Sequence, residues 1–101
     1  PIYITENGKS CHDEISADGH VHDTERINYI NGYLKGLKKS VLEGTDVAGY
    51  FHWSLMDNFE WAYGYTERFG LTYVDYKTQK RILKDSAYRY SEIIRTNGAD
   101  L

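Results

Sequence analysis

The sequence predicts an α/β fold built from parallel βαβ units. Two observations carry that expectation. Short β-branched and aromatic runs alternate with longer amphipathic stretches, and the first run lacks the apolar/polar alternation of a strand with one wet face. A third observation sets the scale: 101 residues amount to roughly one small domain, and two βα units are too few to close a sheet.

The elements follow in order. Ile2-Tyr3-Ile4 opens a strand over about residues 1–6, read as buried on both faces. It is stopped by Asn7-Gly8, a strong turn signal. Residues 9–22 are polar and read as a loop. Asp23 or Thr24 is placed to cap a helix over about residues 23–43. Ile27, Ile30, Leu34, Leu37 and Val41 give it one apolar stripe at spacings of three and four, and it ends near Gly44. Gly32 and Gly36 inside it each cost about 1 kcal/mol relative to Ala, so the helix needs tertiary packing. A second aromatic strand covers about residues 47–53 (VAGYFHW). Residues 54–70 form a long loop dense in aromatic and acidic side chains. Residues 71–76 alternate as a short strand or strand pair, and residues 77–84 read as a basic connector. Asp85 or Ser86 caps a last helix over about residues 85–97, carrying Ala87, Tyr90, Ile93 and Ile94 and closed by Asn97-Gly98.

Composition narrows the function classes. Twelve basic against fifteen acidic residues leave a net charge of -3. With no long basic run, the footprint of a nucleic-acid binder is missing. No 18-residue apolar run suggests a membrane span. One cysteine, Cys11, excludes an internal disulfide framework. With no charged-then-apolar leader in view, the expected location is cytoplasmic. The chain starts at Pro1 and runs straight into a strand, which suggests a processed product or a fragment.

Two clusters carry possible chemistry, and each follows the C-terminal end of a strand, the edge where parallel α/β sheets bind ligands. Glu6 is either a carboxylate held by a rigid strand for nucleophilic or acid/base work, or one solvated residue of a polar turn. Trp53, Glu60 and Trp61, with Asn58, Tyr63, Tyr65 and Phe69 nearby, combine stacking faces with hydrogen-bonding groups, as a sugar pocket does. The same residues also suit an aromatic core segment. His20 and His22 form an H-x-H pair near Asp13 and Asp23, but further ligands at metal spacing are missing, so no metal is expected. His52 reads as a core histidine with one hydrogen-bond partner or as a group pointing into the site. Cys11 has no CxxC partner, and Lys35, Lys38 and Lys39 read as the solvated face of the first helix.

Residues 2–8, Ile-Tyr-Ile-Thr-Glu-Asn-Gly, resemble the I-T-E-N-G segment of the family 1 glycoside hydrolases. Residues 53–61, Trp-Ser-Leu-Met-Asp-Asn-Phe-Glu-Trp, resemble that family's sugar-site signature, together with Gly64-Tyr65 and Arg68-Phe69-Gly70-Leu71. Arg26-Ile27-x-Tyr29 resembles its intervening helix, and the likeness runs through nearly the whole chain. It implies a (β/α)8 TIM barrel that hydrolyses β-glycosidic bonds with retention, using two carboxyl groups ~5–5.5 Å apart. By that match Glu6 is the nucleophile and Glu60 bonds hydroxyls at the far end of the glycone. Trp61 donates its indole N–H to a neighbouring hydroxyl, Trp53 stacks under the sugar, and Phe69 lines the pocket near the hydroxymethyl group. The Glu60-Trp61 pair favours an unphosphorylated β-glucoside or short β-linked oligosaccharide. No cofactor is implied.

The departures from the family pattern are as informative. The family's acid/base glutamate lies in an N-E-P motif, and the one proline here is Pro1. The resemblance therefore implies the last two βα units of a TIM barrel, incomplete by itself. Catalysis is then expected only with the remaining part of the barrel as complementing chain; the alternative is an inactive or weakly sugar-binding piece. Tyr33 stands where relatives often carry His. Arg89 stands where they often carry Trp, which is expected to remove apolar contact beneath the last helix. A piece with two free strand edges is expected to be poorly stable or to associate.

Overall fold

The computed structural model describes all 101 residues, Pro1–Leu101. Strand β1 (Ile2–Asn7) pairs in parallel with β2 (Val47–His52), and α1 (Thr24–Leu42) forms the crossover between them. The chain then makes a 3-10 turn at Trp61–Tyr63. An antiparallel hairpin of β3 (Thr72–Val74) and β4 (Arg81–Leu83) follows, and α2 (Asp85–Arg95) closes the order. Residues 77–84 are thus not a plain connector, because Arg81–Leu83 pairs back on Thr72–Val74.

The core sits where the two helices meet the hairpin base. Ile30 and Leu34 of α1, Leu71 before β3 and Ile93 of α2 are buried together, with Leu37, Tyr50, Ala87, Tyr90 and Leu101 packed around them. The α1 stripe reaches this core only through its middle, since Val41 is exposed. Past Leu42 the chain turns through Gly44 at φ 103°, a left-handed conformation that favours glycine. Tyr3 and Phe51 lie on the sheet face away from α1 and are both more than half exposed. Strand β1 is therefore not buried on both faces, because nothing in this chain covers that side.

Between the helices the contacts are polar as well as apolar. Lys38 Nζ donates to the Gly98 carbonyl at 2.8 Å, so it is a tie from α1 to the turn after α2 rather than part of a solvated face. Arg89 Nε donates to Asn31 Oδ1 at 2.8 Å and its Nη1 reaches Asp100 at 2.5 Å. A hydrogen-bonded bridge across α1 and α2 thus stands where the family pattern leads one to expect apolar contact.

Six charged groups cross-link the loops beneath the sheet edge. Asp23 takes the N-cap position of α1, but its carboxylate does not cap that helix. It accepts instead from the Ser86 backbone N–H at 2.9 Å and the Ser86 hydroxyl at 2.5 Å, in the first turn of α2, and from Arg26 Nη1 at 2.5 Å. Arg26 also holds Asp13 through both carboxylate oxygens (3.1 and 2.8 Å). Lys84, fully buried, donates to Asp13 at 2.6 Å and to Asp57 at 2.8 Å. Asp57 further accepts from Arg68 Nη1 at 2.5 Å and from the Gly70 N–H at 3.0 Å.

At the surface, His22 bridges Asp85 (2.6 Å) and Asp18 (2.7 Å), with the His20 ring 6.0 Å from its own. No group of three or more His, Cys, Asp or Glu side chains is arranged to hold a metal ion.

Two outcomes follow from this wiring. Lys84→Ala leaves Asp13 and Asp57 buried with one cation fewer, and should destabilise the fold by about 3–5 kcal/mol, the usual cost of breaking a buried pair. A urea midpoint within error of the parent would contradict this. The hydrogen bonds that the His22 imidazolium donates to Asp85 and then Asp18 raise its pKa from 6.5 to about 8. Protonated His22 therefore favours the folded state. That contribution is complete below about pH 6.5 and fades as the pH rises through about 8. Thermal midpoints across pH 6–9 should show this decline in the parent and lose it in His22→Gln.

Candidate functional site

Parallel pairing places the ends of β1 and β2 side by side, with Asn7 opposite His52. The Trp53 N–H donates to the Asn7 carbonyl at 2.8 Å. Asn7 is itself fixed from two elements. Its amide nitrogen donates to Tyr29 Oη on α1 at 3.1 Å, and its Oδ1 accepts from Tyr50 Oη on β2 at 2.8 Å. The neighbouring Glu6 is exposed at the strand end. Gly8 makes the approach possible: a Cβ there would lie 1.7 Å from the Trp53 carbonyl oxygen.

The loop after β2 returns to the same edge. A cis peptide joins Trp53 to Ser54. The Ser54 N–H donates to the Phe69 carbonyl at 3.1 Å, and the Leu71 N–H donates to the Ser54 carbonyl at 2.9 Å. Glu6, Trp53 and Phe69 are thus carried on three adjoining backbone segments. Trp53 and Phe69 are half-buried. Glu60 and Trp61 lie further along the loop, at the 3-10 turn, with no hydrogen bond to these segments. That turn is closed by the Glu60 N–H on the Gly64 carbonyl at 2.7 Å. Trp61 has φ 45°, and a left-handed backbone costs a residue with a Cβ roughly 1–2 kcal/mol. Trp61 is 83% exposed. Neither Glu6 nor Glu60 has an ion-pair partner in this chain.

Beneath the edge, His52 packs its ring 5.7 Å from that of Tyr90, and both ring nitrogens are buried without a hydrogen-bond partner. Burial, reinforced by the charge of Arg26, pushes its pKa down to about 4, so it is a neutral packing group. His52 is thus a core histidine, as one of its two readings had it, but without a close hydrogen-bond partner for its ring nitrogens. Burial and the neighbouring Tyr90 likewise push the Tyr50 hydroxyl well up, so it serves Asn7 as a neutral donor.

The residues that sequence reasoning missed are those supporting the loop. Asp57 lies inside the aromatic signature, yet it is 3% exposed and holds Arg68, Lys84, Gly70 and Val74. Arg68 in turn lies over the Tyr73 and Tyr76 rings at 4.0 and 4.8 Å. The available signal was one acid and one arginine, eleven positions apart, flanking an otherwise aromatic loop.

Residues 1–99 match the model of glycosyl hydrolase family 1. The chain is 54% identical over 99 residues to β-glucosidase A of Thermotoga maritima, covering 98% of this chain and 22% of that protein. It is 52% identical over 103 residues to a bifunctional β-D-glucosidase/β-D-fucosidase of Bifidobacterium breve, with the same coverage. Among solved structures, the family 1 β-glucosidase of Thermotoga maritima superposes with a TM-score of 0.94 at 55% identity, over 95% of this chain and 22% of that one. That enzyme has also been solved with isofagomine lactam and with deoxynojirimycin. The chain thus spans about a fifth of the length of these relatives and corresponds to part of their barrel.

The backbone approach at Gly8 is testable by itself. Gly8→Ala must push β1 and β2 apart at their ends and should destabilise the fold by about 1–3 kcal/mol, as overpacking does. Gly32→Ala, which meets nothing within 4 Å on α1, should stabilise it by up to about 1 kcal/mol. Equal denaturation midpoints for the two variants would refute the steric account.

Proposed function

Because the chain belongs to glycosyl hydrolase family 1, we propose that it forms the last two βα units of a retaining β-glucosidase barrel and carries the nucleophile of that enzyme. The observation that supports this best is the shared edge. One parallel pairing, sealed by Trp53 N–H on the Asn7 carbonyl, sets the Glu6 strand end beside the start of the aromatic loop.

In this reading Glu6 attacks the anomeric carbon and forms a covalent glycosyl-enzyme, while a second carboxyl group on an upstream strand protonates the leaving oxygen and later activates water. Trp53 offers a stacking face below the ring, and Phe69 walls the hydroxymethyl side. Glu60 accepts from hydroxyls at the far end of the glycone, and the Trp61 indole N–H donates beside it. The glycone is an unphosphorylated β-glucoside, at the end of a short β-linked oligosaccharide or of another aglycone. The bare Tyr3–Phe51 face and the free edge of β1 are where the rest of the barrel docks.

The test is a chimera of Thermotoga maritima β-glucosidase A in which the matching segment is exchanged for this chain. A 2-deoxy-2-fluoroglucoside that traps the covalent intermediate should label Glu6 in the chimera and leave the isolated chain unlabelled. Glu6→Gln should abolish both label and turnover. The isolated chain lacks general-acid help worth roughly 10²–10⁴-fold, so turnover by it alone would overturn the requirement for an upstream barrel. The exposed Trp61 also favours a lesser reading, a weak sugar platform. That reading is supported if glucose quenches the tryptophan fluorescence of the isolated chain, and is lost if it does not.

A further inference from the structure

Arg26 sits in the first turn of α1 and is fully buried. A guanidinium has five N–H donors in a fixed plane, and this one makes five hydrogen bonds. Two go to the Asp13 carboxylate and one to Asp23. The remaining two go to backbone carbonyls: Nε to Lys9 at 3.3 Å and Nη2 to Arg68 at 2.8 Å. Lys9 lies three residues past Glu6, and Arg68 immediately precedes Phe69. The Cys11 N–H, on the Lys9 side, also donates to the Arg68 carbonyl at 3.0 Å.

One planar group therefore gauges the separation between the chain leaving the Glu6 strand end and the chain arriving at Phe69. Asp13 seats that plane through both of its oxygens, and Lys84 anchors Asp13 from the other side at 2.6 Å. Charge balance alone would be met by any cation at this position. The two carbonyl contacts need the fork, and a lysine with one nitrogen cannot span them while still holding both aspartates.

We propose that Arg26 is a positioning residue for the glycone site, fixing the Phe69 wall relative to Glu6 through the Lys9 and Arg68 carbonyls. The proposal rests on the reading of Glu6 as nucleophile and Phe69 as sugar wall. Arg26 touches no substrate. It acts by keeping the site's hydroxymethyl side at the right distance from the reacting carbon, where an error of about 1 Å can cost on the order of 10²-fold in rate.

Arg26→Lys in the chimera keeps the charge and removes the fork. The readout is the ratio of kcat/KM for an aryl β-glucoside to that for the aryl 6-deoxy-β-glucoside, which differs from it by the 6-hydroxyl alone, measured on one preparation. Active sites are counted with the fluoroglucoside trap. A loss of folded protein lowers both activities equally and leaves the ratio unchanged. Arg26→Lys should lower glucoside kcat/KM per active site by about 10-fold or more and shift the ratio towards the 6-deoxyglucoside. Ile30→Val, a core change away from both carbonyls, should leave the ratio at its parent value. If Arg26→Lys does not fold, Asp13→Asn, which loosens the two-point seat of Arg26, should shift the ratio in the same direction. A trap-labelled parent whose ratio is unchanged in the variant overturns the role of Arg26 alone. A parent unlabelled at Glu6 overturns the reading of the site and this inference with it.

Discussion

Six charges in the interior must balance, and the rest of the chain is arranged around that requirement. Asp13, Asp23 and Asp57 face Arg26, Arg68 and Lys84, and every one of these side chains except Arg68 is at most 2% exposed. Burying such groups is affordable only when each is paired and its remaining hydrogen-bonding capacity is filled. Apart from the local Asp23–Arg26 pair, both conditions are met here by groups far apart in sequence. The polar loop after β1 supplies Asp13, the start of α1 supplies Asp23 and Arg26, the aromatic loop supplies Asp57 and Arg68, and the start of α2 supplies Lys84. These pairs tie the segments that hold the candidate site to one another, beside the four-residue apolar core.

That wiring explains how long loops hold position at the edge of a two-stranded sheet. A parallel pair of strands is weak by itself, since parallel sheets normally bury both faces. Here one face rests on the helices and the other exposes Tyr3 and Phe51. Such a face suits a larger barrel in which further strands cover it, in keeping with the 22% share of the relatives that this chain spans. The edge geometry does not wait for that completion: the Asn7–Trp53 bond, the Gly8 contact and the Arg26 fork all lie within the chain.

Local pattern accounts for what was legible in the sequence. The α1 stripe, the Asn7-Gly8 stop and the two aromatic runs are short-range signals, and the elements they suggested have counterparts in β1, α1 and β2. The family was legible because two motifs carry it. What was illegible depends on partners that no local window contains. Asp23 reads as the cap of its own helix but serves the first turn of α2, 63 residues away. Lys84 reads as the end of a basic connector, yet it is buried because Asp13 and Asp57 converge on it. Arg89 reads as a lost apolar contact, whereas Asn31 and Asp100 turn it into a polar one. Tyr3 reads as buried because the Ile2-Tyr3-Ile4 run lacks alternation, yet it is exposed because nothing within this chain covers its face of the sheet.

The charges divide into two populations. Those of the scaffold are saturated within the chain: Arg26 uses all five donors, and Asp57 accepts from two cations and two backbone amides. Glu6 and Glu60 have no cation within this chain. For the site proposed for Glu6 and Glu60, which would act by differential binding, this is the favourable arrangement. Groups that must stay still are satisfied before substrate arrives, and groups that must respond to it keep their capacity for the reacting sugar and for side chains on other strands. A carboxylate already locked to an internal arginine would be a poorer nucleophile and would have to break that pair to react. The separation of fixed from free charge is therefore the physical feature that most directly links this fragment's architecture to the glycosidase chemistry proposed for it.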